Sequence, residues 1–289
     1  MHTTKISTNL AADMAKVVEY TNKSFSSPAE EMVFNVYDGT SNINPLFGFS
    51  NARDALGASQ SLLTKFKTLN DPRGDQAFMD YNFTQLTLQD ALDQSVPNGA
   101  PIQQQYVYPI SIAEYATTAP TMLLSYHEVM FLKAEALVRL GQNEEAKTAL
   151  KSAVVAAFAN LERSLKATDD AYGVGATIDL SAQVATDYFN TQVLPRFTAN
   201  PLKETMVQKY LAFYGASGES TEAYNDYRRL KAMNENFIVL ENPLNASNKF
   251  PLRFTYGNSD VAANPSVKDA YGDGNYVYTE NVWWAGGTR

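Results

Sequence analysis

The chain has 289 residues, no cysteine, 45% hydrophobic residues and 19% charged ones, which excludes a disordered protein, a disulfide scaffold and a thiolate site. Thirty-one acidic against twenty-three basic residues leave a net charge of −8, and the basic residues do not cluster, so nucleic acid is not an expected partner. The longest apolar run, Ala153 to Ala159, falls well short of the roughly 18 residues a spanning helix needs, and Met1-His2-Thr3-Thr4-Lys5 lacks a signal-peptide stretch.

Leu10 to Tyr20 reads as a short amphipathic helix, with Leu10, Met14, Val17 and Val18 near helical spacing. An extended run, Met32 to Tyr37, ends at the turn pair Asp38-Gly39, and Thr40 to Ser50 reads as a loop rich in Asn, Gly and Phe. A second helix is expected over Ala52 to Leu69, with Ala55, Leu56, Leu62, Leu63 and Phe66 on or near one face. Asn70-Asp71-Pro72-Arg73-Gly74 stops it, because proline cannot continue the hydrogen-bond ladder. Residues 75 to 118 are the least helical. There Tyr81, Phe83, Tyr106, Val107, Tyr108 and Ile110 suit short strands or extended segments, broken at Pro97-Asn98-Gly99 and Pro101.

The strongest periodicity lies between 121 and 166. Thr121 to Leu140 is expected as one helix, capped by Gly141, and Asn143 as the start of another running to about Leu165. Ala134, Leu137, Gly141, Ala146, Leu150 and Ala153 follow the spacing of one tetratricopeptide-like helix pair, although Phe158 stands where that repeat usually has proline. A Gly- and Asp-rich loop, Thr168 to Asp179, precedes a helix near Ser181–Leu194, with breaks at Pro195 and Pro201. A second helix pair spans Leu202–Tyr214 and Thr221–Met233, joined by Gly215-Ala216-Ser217-Gly218. After Asn234 the chain reads as loop.

The search for chemistry finds little. With only His2 and His127 and no cysteine, a zinc site lacks its ligands, and a histidine-assisted nucleophile would have to use His127, which reads as a packed or surface residue of a helix; no metal or cofactor is expected. Gly215 to Gly218 lacks the spacing of a nucleophile elbow. The oxygen-rich loops Asp38–Asn44 and Asp269–Asn275 lack the terminal glutamate of an EF-hand and read as turns. Glu128 and Glu135, seven apart on one helix and about 10 Å apart by rise, match the separation of an inverting glycosidase pair. Any two solvated or structural acids at that spacing match it equally. Arg228, Arg229 and Lys231 share a helix with Glu222 and Asp226 and read as salt-bridged. Seventeen Tyr and abundant Asn suit a protein that grips sugars or peptides by stacking and amide hydrogen bonds; helix–helix packing by Tyr is the competing reading.

Tyr126-His127-Glu128-Val129-Met130-Phe131-Leu132-Lys133-Ala134-Glu135-Ala136, followed by Arg139-Leu140-Gly141, resembles the helical signature of the SusD/RagB-like proteins. Gln208 to Tyr214 followed by Glu222 to Arg229 is similar to a second hallmark, with Tyr224 where the family usually has Trp. Phe250 to Tyr256, then Asn264-Pro265 and Val282-Trp283-Trp284, resembles the C-terminal pattern, with Gly257 in place of the expected Pro and Asp260 in place of Glu. Asn70-Asp71-Pro72-Arg73 is a fourth point of likeness, and together these motifs cover about residues 45 to 285.

The resemblance implies a mainly α fold, in which tetratricopeptide-like helix pairs pack with a loop-rich subdomain containing short strands. Residues 1–289 would form one such domain, partial at its N-terminus, with 121–166 as a helix pair within it. It further implies a non-catalytic, outer-membrane, cell-surface protein that captures oligosaccharide for a SusC-like TonB-dependent transporter. The family's signal peptide and lipidated cysteine would precede the part matched. Peptide binding, a protein-interaction scaffold, and an inverting hydrolase using Glu128 and Glu135 are the alternatives. On this reading Arg228, Arg229, Arg253 and the Trp pair are structural, and ligand contacts come from variable loops. The residues expected to make them are Tyr37, Phe47 and Phe49 as stacking platforms and Asn42 and Asn44 as amide partners.

Overall fold

A computed structural model describes residues 7–53, 56–100, 108–244, 251–283 and 287; Ala55, Tyr106, Val107, Phe250, Trp284 and His2 of the expectations above lie outside them. Helix α1 (Leu10–Asn22) begins at Asn9, whose side chain accepts a hydrogen bond from the Ala12 N–H at 3.1 Å. Strand β1 (Met32–Phe34) follows. The stretch read as loop then contains a helix, α2 (Pro45–Arg53). Its start is set by Asn44, whose Oδ1 accepts from the Leu46 N–H at 2.8 Å, with Pro45 at the first helical position. The expected helix over Ala52–Leu69 is therefore two: α2, and α3 (Gln60–Leu69), which ends on Asn70 in the left-handed region at φ 50°.

Residues 75 to 118 carry β2 (Phe78–Met79), a one-and-a-half-turn helix α4 (Leu88–Asp93) capped by Thr87, and β3 (Ile110–Ser111), which pairs antiparallel with β2. The helix expected from Thr121 starts later. Thr121–Leu124 form β4, antiparallel to β1, and Ser125 then caps α5 (Tyr126–Arg139) by accepting from the Glu128 N–H. The helical spacing of 121–125 was genuine but lost to strand pairing, a tertiary effect that periodicity does not report.

Helix α6 (Asn143–Tyr172) packs along α5 and is longer than expected, because the Asp-rich segment after Thr168 stays helical until Gly173 closes it at φ 61°. Thr168 helps hold that last stretch by donating from Oγ1 to the Ile112 carbonyl. Beyond it, α7 (Ala182–Tyr188) runs through one π turn, Phe189–Val193, into α8 (Leu194–Ala199). Pro195 is thus accommodated beside a widened turn and breaks nothing. Asn200 caps α9 (Pro201–Ala212), and α10 (Thr221–Ala232) follows after a tight turn. At Gly218 an added Cβ would lie 2.3 Å from the Met122 carbonyl oxygen, so the turn can press against β4 only with glycine there. The C-terminal stretch read as loop holds three short helices, α11 (Asn258–Ala263), α12 (Pro265–Tyr271) and α13 (Tyr276–Thr279).

The core lies between α5, α6 and α9. Val129, Phe131 and Ala134 of α5 meet Ala146, Leu150, Ala153, Phe158 and Leu161 of α6, and Leu211 of α9 joins them. Small residues at 134, 146 and 153 let the helices approach closely. No helix among the described residues is long and apolar enough to cross a membrane.

Candidate functional site

The charged residues of the hallmark motifs point inward. Arg229 of α10 donates from Nη1 and Nη2 to the two carboxylate oxygens of Glu135, at 2.7 and 3.0 Å, and from Nε to Asp226 at 3.1 Å. Arg139 donates to the same Glu135 at 2.9 Å and reaches Glu235. Lys209 of α9 bridges Asp226 at 2.8 Å and Glu128 at 3.2 Å. Burial alone would raise Glu135, yet Arg229 and Arg139 outweigh it and hold the carboxyl below its usual range; Lys209 and Arg229 likewise hold Asp226 down at about 2. Asp71 and Arg73 form a second buried pair, with the guanidinium 4.7 Å above the Phe158 ring.

This arrangement removes the hydrolase reading of Glu128 and Glu135. An inverting pair needs a sugar and a water between its carboxyls. Here cations fill that place: Glu135 is 0% exposed and clamped by two arginines, and buried Glu128 pairs with Lys209.

His127, the histidine of the first motif, is buried. Asn160 Nδ2 lies 3.1 Å from its Nδ1, and Glu219 lies 3.6 Å from its Nε2. Burial first, then Arg73, Lys209 and Arg163, push His127 down to about 3, while burial raises Glu219 to about 7, with Glu128 and Glu31 adding to the rise. The two groups oppose each other. The fold binds fewer protons than the unfolded chain at His127, so that contribution to stability falls as pH drops from 6.5 towards 3. It binds more at Glu219, whose contribution falls as pH rises from 4.5 to 7. Relative to the parent, His127→Gln is expected to gain stability on acidification from pH 6.5 downward. Glu219→Gln is expected to lose it on acidification between pH 7 and 4.5, each by about 1.4 kcal/mol per pH unit. Urea melts across that range check this, and parallel profiles for the two variants would contradict it.

The surface the sequence favours for ligand is the 37–49 segment. Its five candidates divide. Asn44 is buried, with Nδ2 donating to the Ala119 carbonyl at 2.7 Å and Oδ1 capping α2, so both ends of its amide hold the loop. Asn42 donates from Nδ2 to the Val36 carbonyl at 3.1 Å, and the N–H groups of Asn42 and Thr40 hold the Asp38 carboxylate below its usual range. Phe47, 9% exposed, packs edge-on to Tyr115 at 5.2 Å and stacks on Tyr172 at 6.0 Å. Phe49, two residues on along α2, is 50% exposed. Tyr37 is half-buried, its ring edge-on to Phe34 and its hydroxyl 2.8 Å from Thr121 Oγ1. Tyr37 and Phe49 therefore present ring surface, while Asn44 and Phe47 anchor the segment that carries them.

Around the anchor stands an aromatic cluster that sequence reasoning missed. Phe83, in the left-handed region at φ 63°, stacks on Tyr172 with planes 4° apart and centroids at 5.4 Å, and Tyr115 closes the group. The same loop borders a polar groove of about 480 Å³, lined by Thr118, Glu162, Arg163, Lys166 and Asp170. A Cβ on Gly39 would lie 3.2 Å from Thr118, which places the loop against the groove's wall. Glu162, Lys166 and Asp170 recur every four residues along α6. That stripe was hidden because 168–179 read as loop. Among the described residues no cluster of three or more His, Asp or Glu could hold a metal ion.

The fold and the inward-facing motif residues define a class. A family model described as SusD-like, "Starch-binding associating with outer membrane", matches residues 1–257, and the chain belongs to that family. It is 50% identical, with a TM-score of 0.89, to a SusD/RagB family protein of Bacteroides thetaiotaomicron VPI-5482, aligning over 100% of this chain and 62% of that one. A SusD homologue of Bacteroides fragilis NCTC 9343 shares the fold at 20% identity and TM-score 0.60, over 93% of this chain and 61% of its own. A chitin-binding protein shares it at 17% identity and TM-score 0.59, over 96% and 62%. The chain thus spans about three-fifths of the length of these structures. No curated protein sequence matched it.

Proposed function

We propose that the chain is the greater part of a non-catalytic receptor, held at the outer-membrane surface by a lipid anchor. In this reading it captures oligosaccharide and passes it to a SusC-like TonB-dependent transporter. Membership of a family described as starch-binding supports the class of ligand. The observation that carries the local reading is the division within the 37–49 segment, which fixes Asn44 and Phe47 inside, leaves ring surface of Phe49 and Tyr37 outside, and sets Gly39 against Thr118 of a polar groove. Aromatic faces accept the C–H faces of a sugar ring, and Thr, Lys and carboxylate groups accept and donate to its hydroxyls.

Calorimetric titration with maltooligosaccharide and chitooligosaccharide tests this. One of the two is expected to bind and to weaken about tenfold in Phe49→Ala, as loss of one stacking platform of about 1.4 kcal/mol requires. Unchanged affinity in Phe49→Ala and Tyr37→Ala would overturn the location. A second reading, contact with a protein partner, is favoured by the β1–β4 ribbon, which exposes Met32, Phe34, Val36, Leu123 and Leu124. We assign that strip to the receptor's protein contacts and the α2 face to its glycan.

A further inference from the structure

The C-terminal pattern contains an arginine that does not behave as the other motif arginines do. Pro251 to Tyr256 runs beside α12 and α13, tied by the Leu252 N–H to the Val277 carbonyl at 2.9 Å and by the Tyr256 N–H to the Tyr276 hydroxyl at 2.8 Å. Tyr224 of α10 reaches over to donate to the Pro251 carbonyl. Between these elements lies a cavity of about 610 Å³, walled by the rings of Tyr224, Phe254, Tyr271 and Tyr278. Phe254, 86% exposed, stands at its rim as a free-standing ring.

Arg253 is the one charged side chain among the described residues that line this cavity. Its guanidinium lies 5.3 Å from the centre of the Tyr276 ring and 5.9 Å from that of Tyr256. Where Arg229 and Arg73 meet carboxylates, the buried Nε and Nη1 of Arg253 have no hydrogen-bond partner among the described residues. A second guanidinium, Arg228, stacks over Tyr224 at 5.4 Å, close enough for the two cations to repel. A chain of net charge −8 thus holds an aromatic cavity with positive charge and, among the described residues that line it, no acid. Leaving buried cationic donors unmet is unfavourable, and an oxyanion would relieve it.

From this geometry we infer a second ligand site, specific for an acidic sugar: a uronic acid residue whose carboxylate meets Arg253 while its ring lies against Phe254 and the tyrosines. The inference rests on the reading of the chain as a glycan receptor and adds a charge preference to it. Rings alone would admit neutral sugars, whereas a guanidinium whose Nε and Nη1 meet no acceptor among the described residues favours a carboxylate over the corresponding alcohol.

Titration of the full chain with a short oligogalacturonide and with its carboxyl-reduced, neutral counterpart tests the site. The uronide is expected to bind at least about tenfold more tightly than the reduced form, and less tightly as salt rises. Arg253→Gln should abolish that preference, and Phe254→Ala, a change at an exposed ring that leaves the fold intact, should weaken uronide binding. Phe49→Ala should leave it unchanged. Equal affinity for the two oligosaccharides, an unaltered preference in Arg253→Gln, or no uronide binding would overturn the inference. If neutral glycan still binds through Phe49 in that last case, only this second site falls; if neither kind of glycan binds, the receptor reading falls with it.

Discussion

Replacing Arg229 with alanine is expected to cost about 3–5 kcal/mol of folding free energy, because it leaves buried acids without their main counter-charge. Glu135 would keep Arg139 alone, and Asp226 would keep only Lys209. The loss comes from uncompensated burial, so removing acid and base together should be far milder. Glu135→Leu with Arg229→Met is expected to fall within about 2 kcal/mol of the parent, since apolar replacements of similar volume end the need for pairing. Urea denaturation of the two variants measures both quantities. A single-variant loss under about 1 kcal/mol would show that water reaches the lattice and that its residues do not join α5, α9 and α10 as described.

The second large effect is expected at Phe158. Its ring is wholly buried on α6, stacks on Tyr188 with centroids 5.6 Å apart, and lies beneath the Arg73 guanidinium at 4.7 Å. Truncation to alanine opens a cavity costing about 3–5 kcal/mol and removes a desolvated cation–π contact worth up to about 2 kcal/mol of that effect. Phe158→Leu should lose less, since it retains most of the volume but not the ring face. A negligible loss in Phe158→Leu would mean that the ring's contact with Arg73 contributes nothing beyond volume.

Phe158 also illustrates what was legible in the sequence. At that position a tetratricopeptide pattern usually has proline, and the departure reads as a defect until Asp71 and Arg73 are seen to dock there. The helix pair, the local Asp226–Arg229 pairing on α10 and the stop at Asn70 follow from periodicity and residue chemistry. Other features did not. The strand at Thr121–Leu124 has helical spacing and was decided by pairing with β1, some ninety residues earlier. The π turn that admits Pro195 is a matter of local backbone width, which residue identity does not encode. The short helices α11 to α13 lie in Asn-, Gly- and Pro-rich sequence, where cap and turn residues are the same types.

The candidate site was legible only in part, for a related reason. Asn and Phe in a loop are equally suited to gripping a ligand and to holding the loop itself, and composition does not separate the two. Asn44 and Asn42 bond to backbone carbonyls, and Phe47 packs on Tyr115 and Tyr172, which lie far away in sequence. Phe49 differs from Phe47 only in facing outward from α2. Arg253 shows the reverse case. Its motif resembles a structural one, yet the structure gives it rings on two sides and no acid among the described residues.

The measurement that bears most directly on the glycan-receptor reading is hydrogen–deuterium exchange of the chain with and without saturating maltooligosaccharide or chitooligosaccharide. Protection is expected on peptides covering 37–53 and 115–118 and on the 159–172 stretch of α6, with the ionic lattice of α5, α9 and α10 unchanged. Protection confined to other surfaces, or none with either oligosaccharide, would contradict the assignment of the α2 face as the place where sugar is held.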